Sequence, residues 1–377
     1  MKWHLLSGEY PPNCGGVGGY TANLAAALAA AGEDVDVWVG DPETGRATSP
    51  FGVHVLPDRF GPRSRAVLAE AFDRVRGVVL LQYVPNALGA KGVNLAFCRW
   101  LRGRRRAGDD IRVMFHEPYM YFSLRRPALS ALALAQRVMA TTLIKASTQI
   151  YYSTDRWADY LGSFGAAGAI TLPIPSTITA RPSPPAVAEF RRAFARTPAP
   201  VIGHFGTYGT DVANELLPAV MELSRRRPLN LALLGQNSGE FSARLASSGA
   251  PATMAISATG RLDDESTAAA LAACDLLIQP YPDGVTTRRT SLMAGLALGI
   301  PIISTTGFLT ERLWSESAAA MLVAAGDSVA IATAAERLID SRAERFELGE
   351  RGRTVYTQHL SMDVTLRRLR RVIESAA

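Results

Sequence analysis

The 377-residue chain alternates short apolar runs with helix-like segments, and one proline-rich stretch interrupts this alternation. Residues 172–200 hold seven prolines, which a compact domain rarely gathers in one place. A chain of this length is also too long for one compact core. We therefore predict two α/β domains, 1–175 and 200–355, with 176–199 as their junction and 356–377 as a terminal helix that packs back on the first domain.

The apolar runs have the length and character of β-strands. The run "GVVLLQYVP" is apolar almost throughout, which is typical of a strand that is covered on both faces. Strands that alternate with helices predict a doubly wound parallel sheet in each half. The predicted strands are "KWHLLS", "DVDVWVG", "GVVLLQYVP", "IRVMFHEP" and "TQIYYST" in the first half, and "PVIGHFG", "NLALLG", "TMAISATG", "CDLLIQP" and "IPIISTTG" in the second.

The composition is that of an ordinary globular protein, with 48% hydrophobic and 20% charged residues. No apolar run reaches the length expected of a membrane span, and "MKWHLLSGEYPP" is too short and too soon polar for a secretory signal. We expect a cytoplasmic location. The scattered Cys14, Cys98 and Cys274 form neither a CxxC pair nor a metal-ligand spacing, so no metal and no disulfide is predicted.

The basic residues are almost all arginine. Lysine occurs only at Lys2, Lys91 and Lys145, so any anion contact beyond residue 145 must come from arginine, backbone amides or helix ends. The densest basic run is Arg99–Arg106, which is either a solvated helix end or a contact with an acidic membrane surface or a polyprenyl-phosphate acceptor. Nucleic acid is disfavoured because the run lacks a series of interleaved aromatic residues for stacking.

The stretch "GGVGGY" joins the first strand to the first helix. Gly15, Gly16 and Gly18 form either a plain tight turn or a seat for a phosphate or sugar. Glycine lets the backbone approach a ligand, and the free N–H groups of the following helix point toward it. A dinucleotide site is disfavoured because no clear acidic residue ends the second strand about 20 residues further on, since Asp41 already lies in a loop.

A second candidate, "MFHEPY", ends an apolar strand on the side of the sheet where α/β proteins bind ligands. His116 and Glu117 there are expected to share a rim with Glu9 and Tyr20 from the glycine-rich segment. His116 caps the strand end by hydrogen bonding, holds a sugar hydroxyl, or works as an acid or base.

A third candidate, "QPYPDGVTTRRTSLMAG", follows a strand of the second half. A helix is predicted from near Thr287, and Thr286, Arg288 and Arg289 crowd its start. Free N–H groups, the helix dipole and two arginines together predict an anion site, with a solvent-facing helix start as the plain alternative.

The chain resembles glycosyltransferase family 4, which has the GT-B fold of two Rossmann-like domains that face a central cleft. The resemblance is carried by "EYPPNCGGVGGYTANLAAALAAAG" and by the later order of strand, acidic-glycine turn, helix, "ALGIP", strand and "TTG". It implies retaining, metal-free transfer of a sugar from a nucleotide-diphosphate sugar to a hydroxyl acceptor. It also implies that Gly15, Gly16 and Gly18 face the donor diphosphate or sugar, and that His116 lies beside the reacting sugar.

The chain departs from the family at a pair of glutamates, one for the donor sugar and one for the ribose. Aligned on "LALGIP", the pair falls on Thr286 and Ala294; aligned on the "DG" turn, it falls on Asp283 and Ser291. Neither alignment restores the pair. Asp283 is the candidate to replace the first glutamate, which makes it a catalytic candidate together with His116.

A second departure concerns the diphosphate. The family tends to hold it with an arginine and a lysine near the start of the second domain, where this chain reads "GHFGTYGTDVANE". We expect Arg288 and Arg289 to replace them, helped by Thr286, Thr287 and the backbone at Gly206 and Gly209. A nucleotide-sugar epimerase of the same architecture and an inactive nucleotide-sugar-binding or scaffold protein stay open as alternatives. The acceptor is equally open among polysaccharide, lipid-linked sugar and natural product.

Overall fold

The chain forms two compact units. The computed structural model describes residues 1–12, 15–40, 49–122 and 126–374. The first unit comprises Met1–Pro173 together with Thr365–Ala377, and the second comprises Ile174–Val364. Each unit is built on one parallel β-sheet whose strands are joined by helices, so the predicted pair of doubly wound α/β domains is confirmed.

The sheet of the first unit has its topological switch beside its first strand. Its strands are β1 (Lys2–Ser7), β2 (Asp34–Val39), β3 (Gly52–Val55), β4 (Val78–Tyr83), β5 (Asp110–Phe115), β6 (Gln149–Tyr152) and β7 (Ile170–Thr171). They lie in the order β3-β2-β1-β4-β5-β6-β7, and every pairing is parallel. The order reverses between β1 and β4, where such sheets open a crevice at the carboxyl ends of their strands. Strand β4 is buried at all six residues, as its apolar sequence predicts.

Helices cover this sheet. They are α1 (Gly16–Ala30), α2 (Pro62–Arg74), α3 (Leu95–Arg106), α4 (Pro127–Ile144) and α5 (Arg156–Leu161). Helix α1 buries Tyr20, Leu24 and Leu28, which are spaced four residues apart and therefore form one apolar stripe. Helix α4 has 18 residues and is, by length and composition, apolar enough to cross a membrane. The sequence-based expectation that no run reaches that length was wrong for this helix.

The second unit repeats the arrangement. Its strands are β8 (Val201–Phe205), β9 (Leu229–Leu234), β10 (Met254–Ala258), β11 (Leu276–Gln279), β12 (Ile302–Thr306) and β13 (Met321–Ala324). They lie in the order β10-β9-β8-β11-β12-β13, with the reversal between β8 and β11. The turns that follow these two central strands are therefore placed to meet a ligand.

The second unit begins with a helix inside the predicted junction 176–199. Its helices are α6 (Pro184–Phe194), α7 (Thr210–Arg226), α8 (Ser238–Ser247), α9 (Asp264–Ala272), α10 (Thr290–Ala297), α11 (Arg312–Ser317), α12 (Ser328–Asp340) and α13 (Arg342–Val355). A π-helical turn and α14 (Met362–Glu374) follow. Arg370 of α14 bonds to Glu33 and to the carbonyl of Ala31, which ties the chain end to the first unit.

All ten strands predicted from the sequence are present. Strands β3, β7 and β13 were not predicted because they are only two to four residues long and none of their residues is fully buried. Helix α10 begins at Thr290 and not near Thr287. The reason is a long-range contact to the preceding turn, described below.

Candidate functional site

The turn after β11 gathers two guanidinium groups around one carboxylate. Arg288 donates from Nη2 to Asp283 at 3.2 Å, and Arg289 donates to the other oxygen of the same carboxylate. The guanidinium of Arg289 lies 4.4 Å from the centre of the Tyr281 ring. Burial, and then the neighbouring charge of Arg288, lowers the pKa of Arg289. These three side chains, two cations and one anion, carry a net positive charge between them.

Helix α10 starts directly behind this cluster. Its N-cap residue is Arg289, whose side chain makes no capping hydrogen bond. The first N–H groups of the helix therefore have no acceptor from that side chain, which leaves the helix end suited to an anion. Arg288 and Arg289 lie in the turn before the helix and not in its first turn as predicted.

Glu311 explains why the helix begins late. Its buried carboxylate accepts the backbone N–H of Thr287 at 2.6 Å and the Thr287 hydroxyl at 2.7 Å. The same carboxylate accepts Nε1–H of Trp314 at 3.0 Å. These bonds hold residue 287 in a turn, so neither of these Thr287 donors points to a ligand. Neighbouring Thr286 is fully buried, and its hydroxyl has no partner among the described residues.

Close backbone contact fixes the turn from a second side. Gly284 has φ of +89°, and a Cβ there would lie 2.4 Å from the backbone nitrogen of Gly307. Both the left-handed conformation and the contact require glycine. The turn that carries Asp283 is thus locked to the loop after β12.

Replacement of Glu311 by glutamine is expected to destabilise the second unit by about 2–4 kcal/mol, because at least one buried donor loses its acceptor. Thermal unfolding followed by circular dichroism measures this. Asp340→Asn, at an exposed surface pair with Arg227, is the matched control and should leave the unfolding temperature nearly unchanged. Equal unfolding temperatures for the Glu311 variant and the control would show that Glu311 does not hold the turn.

Gly206 and Gly209 lie in the loop that joins β8 to α7. Gly209 is the N-cap residue of α7 and has no side chain to cap it. A Cβ at Gly209 would meet no described atom within 4 Å, and one at Gly206 would meet only Nε2 of His204, at 3.3 Å. Internal packing therefore does not demand glycine at 209, and a second helix start is left open beside the central strands.

In the first unit, Glu9 reaches the start of α1. Its Oε1 accepts the N–H of Gly18 at 2.9 Å, so a carboxylate of the chain itself lies against the helix end. Gly15 and Gly16 are exposed, and a Cβ at Gly16 would meet no described atom within 4 Å. Neither residue has a positive φ. Glycine at 16 is thus required by neither the described packing nor the backbone conformation, which favours the ligand interpretation over a plain turn. Cys14 lies outside the described residues.

His116 follows β5, as predicted, and is buried. Its Nε2 lies 2.7 Å from Oε1 of Gln82, and its ring meets the Tyr20 ring edge-on with centroids 5.3 Å apart. Burial lowers the pKa of His116 to about 3, so the ring is neutral at pH 7. This favours a hydrogen-bonding role over proton transfer near neutrality. Glu117 is exposed, and no sequence signal marked Gln82 as the partner of His116.

A cavity of about 300 Å³ lies beside Glu9 at the carboxyl ends of β1, β2 and β4. Polar groups of three chemical types line it, from Glu9, Arg59 and Asn86. A carboxylate, a guanidinium and an amide around one small cavity suit a polyhydroxylated ligand. Arg59 lies in a turn and Asn86 in a short 3-10 helix, and no motif in the sequence marks either residue.

No group of three or more His, Cys, Asp or Glu side chains that could hold a metal ion occurs in the part of the chain that the structure describes.

Comparison with known proteins identifies the architecture. Residues 199–341 match the model of the family described as "Glycosyl transferases group 1". The chain superposes on sucrose-phosphate synthase from Thermosynechococcus elongatus with a TM-score of 0.70 and 16% identity, over 100% of both chains. The chain has the GT-B fold, and its residues 199–341 are similar to the group 1 glycosyltransferases.

Two further structures with the GT-B fold also superpose on the chain. HepE from Anabaena, in complex with UDP and glucose, has a TM-score of 0.71 and 13% identity over 100% of both chains. WaaG, a glycosyltransferase involved in lipopolysaccharide biosynthesis, has a TM-score of 0.69 and 15% identity over 97% of this chain and 98% of that one. No curated protein sequence matches this chain significantly. At such low identities the superpositions show the fold alone. Together with the family match, they confirm the resemblance to GT-B glycosyltransferases inferred from the sequence.

The segment that matches the family model contains the features of the second unit described above. It includes Gly206, Gly209, the Asp283 turn, the start of α10 and Glu311. The family match and the fold together support nucleotide-sugar glycosyltransfer in general.

Proposed function

We propose that this protein transfers a sugar from a nucleotide-diphosphate sugar to a hydroxyl acceptor, with retention of configuration and without a metal ion. The observation that carries the proposal is the Asp283 turn, which lies in the segment that matches the group 1 glycosyltransferase model. There, two arginines with one shared carboxylate lie directly before a helix start that the side chain of its N-cap residue leaves uncapped. This is the chemistry that binds a diphosphate.

The donor diphosphate is proposed to bind at this turn for electrostatic reasons. A guanidinium presents a planar fork that matches two phosphate oxygens, and two such groups are adjacent here. The first N–H groups of α10 and of α7 add partial positive charge from two helix ends. UDP is the first nucleotide to test because HepE, which has the same fold, binds UDP.

Asp283 has two possible roles toward the donor. It either reads a hydroxyl of the donor sugar, in place of the missing glutamate, or it only neutralises Arg288 and Arg289 until the diphosphate arrives. The ion pairs with both arginines favour the neutralising role. A carboxylate that pairs with two cations has few lone pairs left to accept a sugar hydroxyl.

Asp283→Asn is therefore expected to tighten binding of UDP and of UDP-sugar by a similar factor, about fivefold, since one competing charge is removed. Isothermal titration of both ligands measures this. Asp340→Asn again serves as the control, because it removes a carboxylate from the surface ion pair between Arg227 and Asp340 in the same unit. Tighter UDP binding combined with weaker UDP-sugar binding would assign Asp283 to the sugar instead.

The acceptor is proposed to bind to the first unit. The cavity beside Glu9 offers a carboxylate that can orient an acceptor hydroxyl, and Arg59 and Asn86 add polar contacts. Gly15 and Gly16, which are exposed, provide open backbone for the donor sugar, and the exposed Glu117 lies on the rim. Gly18 and Tyr20, which the sequence placed beside them, are buried and contribute no exposed surface. His116 is proposed to hold a sugar hydroxyl from the end of β5.

The proposal is tested with the full chain and a panel of UDP-, GDP-, dTDP- and ADP-sugars. We expect one of these donors to bind and to be hydrolysed slowly, with transfer once a suitable hydroxyl acceptor is supplied. Binding without any turnover would favour the inactive nucleotide-sugar-binding protein, for which the neutral, buried His116 and the engaged Asp283 are the supporting observations. Release of an altered sugar without transfer would favour the epimerase.

A further inference from the structure

Helix α4 is apolar on both of its sides. Its inner side buries Ala133, Met139 and Leu143 in the first unit. Its outer side exposes 57% of Leu134 and 43% of Val138, and these lie one helical turn apart. Only a third of the helix is buried. An outer side this apolar is unusual for a helix that faces only water.

Exposed aromatic side chains adjoin this outer side. Tyr121 and Phe122 are each 56% exposed just before α4. The guanidinium of Arg137, next to Val138 on the helix, lies 4.0 Å from the Phe122 ring and 4.1 Å from the Tyr119 ring. This stack holds the aromatic segment against α4, so the apolar area extends beyond the helix itself.

The neighbouring helix α3 adds strong positive charge. It packs against α4 and exposes Arg99, Arg105 and Arg106, whereas Arg104 pairs with acidic residues. The segments 85–108 and 118–154, which contain both helices, include no Asp or Glu. Their basic residues are Lys91, Arg99, Arg102, Arg104, Arg105, Arg106, Arg125, Arg126, Arg137 and Lys145.

The outer sides of the two helices face the same way. Helix α3 joins β4 to β5 and α4 joins β5 to β6, so both crossovers step in one direction along the sheet. Right-handed crossovers in one direction place their helices side by side on one face of the sheet. We call the combined surface the α3–α4 face, which is defined by Arg99, Arg105, Arg106, Tyr121, Phe122, Leu134 and Val138.

We propose that the α3–α4 face docks on an anionic lipid bilayer. Basic side chains beside exposed aliphatic and aromatic groups are the combination that binds at a charged membrane interface. A second copy of the chain is a poor occupant, because it would bring the same uncompensated positive charge against itself. The inference needs no glycosyl transfer, so it stands or falls separately from the proposed function. If it holds, the first unit works at the surface of a membrane.

Flotation of the full chain with vesicles tests the proposal. We expect binding to vesicles of equal parts phosphatidylcholine and phosphatidylglycerol, and much weaker binding to phosphatidylcholine alone. Raising the salt from about 0.1 M to about 1 M should release the protein, because the Debye length falls from about 10 Å to about 3 Å. Equal binding to both vesicle types, or binding to neither, would overturn the proposal.

Two variants separate the contributions of charge and apolar contact. Arg99→Gln/Arg105→Gln/Arg106→Gln should lower the partition coefficient by about 100-fold, since each basic residue near an anionic surface contributes about fivefold. Leu134→Ser/Val138→Ser should lower it by roughly tenfold, because less apolar surface enters the bilayer.

The control changes one exposed basic and one exposed apolar residue on the second unit. Arg342→Gln/Phe346→Ser alters an exposed arginine and a phenylalanine that is 70% exposed on α13, and it should bind vesicles like the unmodified chain. All changed side chains are exposed or nearly so, and the unfolding temperature of each variant confirms that it is folded. A loss in the control equal to that of the triple variant would overturn the assignment to this face. So would a dimer of the unmodified chain that the Leu134 and Val138 changes dissociate, since it would make a second copy the occupant.

Discussion

Arg288→Ala/Arg289→Ala is expected to weaken binding of a nucleoside diphosphate by about 100- to 1000-fold and to leave binding of the corresponding nucleoside nearly unchanged. Each guanidinium offers charge-assisted hydrogen bonds of about 1.5–3 kcal/mol to phosphate oxygens, and 1.4 kcal/mol corresponds to a tenfold change in affinity. The nucleoside carries no phosphate and therefore loses none of these bonds. Isothermal titration with UDP and uridine compares the two directly.

Part of this loss would come from Asp283. Once both arginines are gone, its carboxylate has lost its ion pairs with them and repels the incoming phosphates. A triple variant that adds Asp283→Asn removes the repulsion and should recover part of the affinity. What remains lost then measures the direct contribution of the arginines.

The control for the double variant is Arg226→Ala/Arg227→Ala. These two adjacent arginines lie at the end of α7 and pair with Glu336 and Asp340. They precede strand β9, whereas the Asp283 turn follows strand β11, so the two places lie at opposite ends of the parallel strands. Both control arginines match Arg288 and Arg289 in charge, in being adjacent and in belonging to the second unit. The control should therefore bind UDP as the unmodified chain does. Equal losses of UDP and uridine affinity in the Arg288 and Arg289 variant would remove these arginines from the phosphate site.

The strands and the fold class could be predicted because they depend on local patterns. A run such as Val78–Tyr83 is apolar almost throughout, and a buried parallel strand requires this wherever it occurs. Edge strand Gly52–Val55 could not be predicted, because it is only four residues long and two of them are exposed. The glycine-rich loop was located because glycine is required where backbone must stay bare.

The details of the site depend on contacts that are distant in the sequence. Threonines and arginines at 286–289 suggested a helix start, yet Glu311, 24 residues later, takes the N–H of Thr287 and delays the helix to Thr290. Glu9 was placed on the ligand rim, but its contact with Gly18 at the start of α1 has no local signature. The same holds for Gln82, which lies 34 residues before His116.

His116→Ala is expected to lower the turnover number by about 100-fold while nucleotide affinity changes less than about twofold. Alanine removes the hydrogen bond that the imidazole is proposed to give the donor sugar, and it leaves Gln82 without its partner. The nucleotide is proposed to bind to the second unit, which His116 does not belong to. Donor hydrolysis and UDP titration on the same variant measure the two effects. Collapse of UDP affinity would show that His116 is not a sugar-side residue.

The pH profile decides how His116 acts. Because burial lowers its pKa to about 3, the imidazole stays neutral from pH 5 to pH 9, and turnover should show no inflection near pH 6.5 from this group. His116→Gln, which can still hydrogen-bond to a hydroxyl, should recover part of the turnover lost in His116→Ala. The exposed His54→Ala on β3 of the same unit controls for loss of a histidine. An inflection near pH 6.5 that disappears in His116→Gln would instead assign proton transfer to this residue, because glutamine can donate a hydrogen bond but does not titrate.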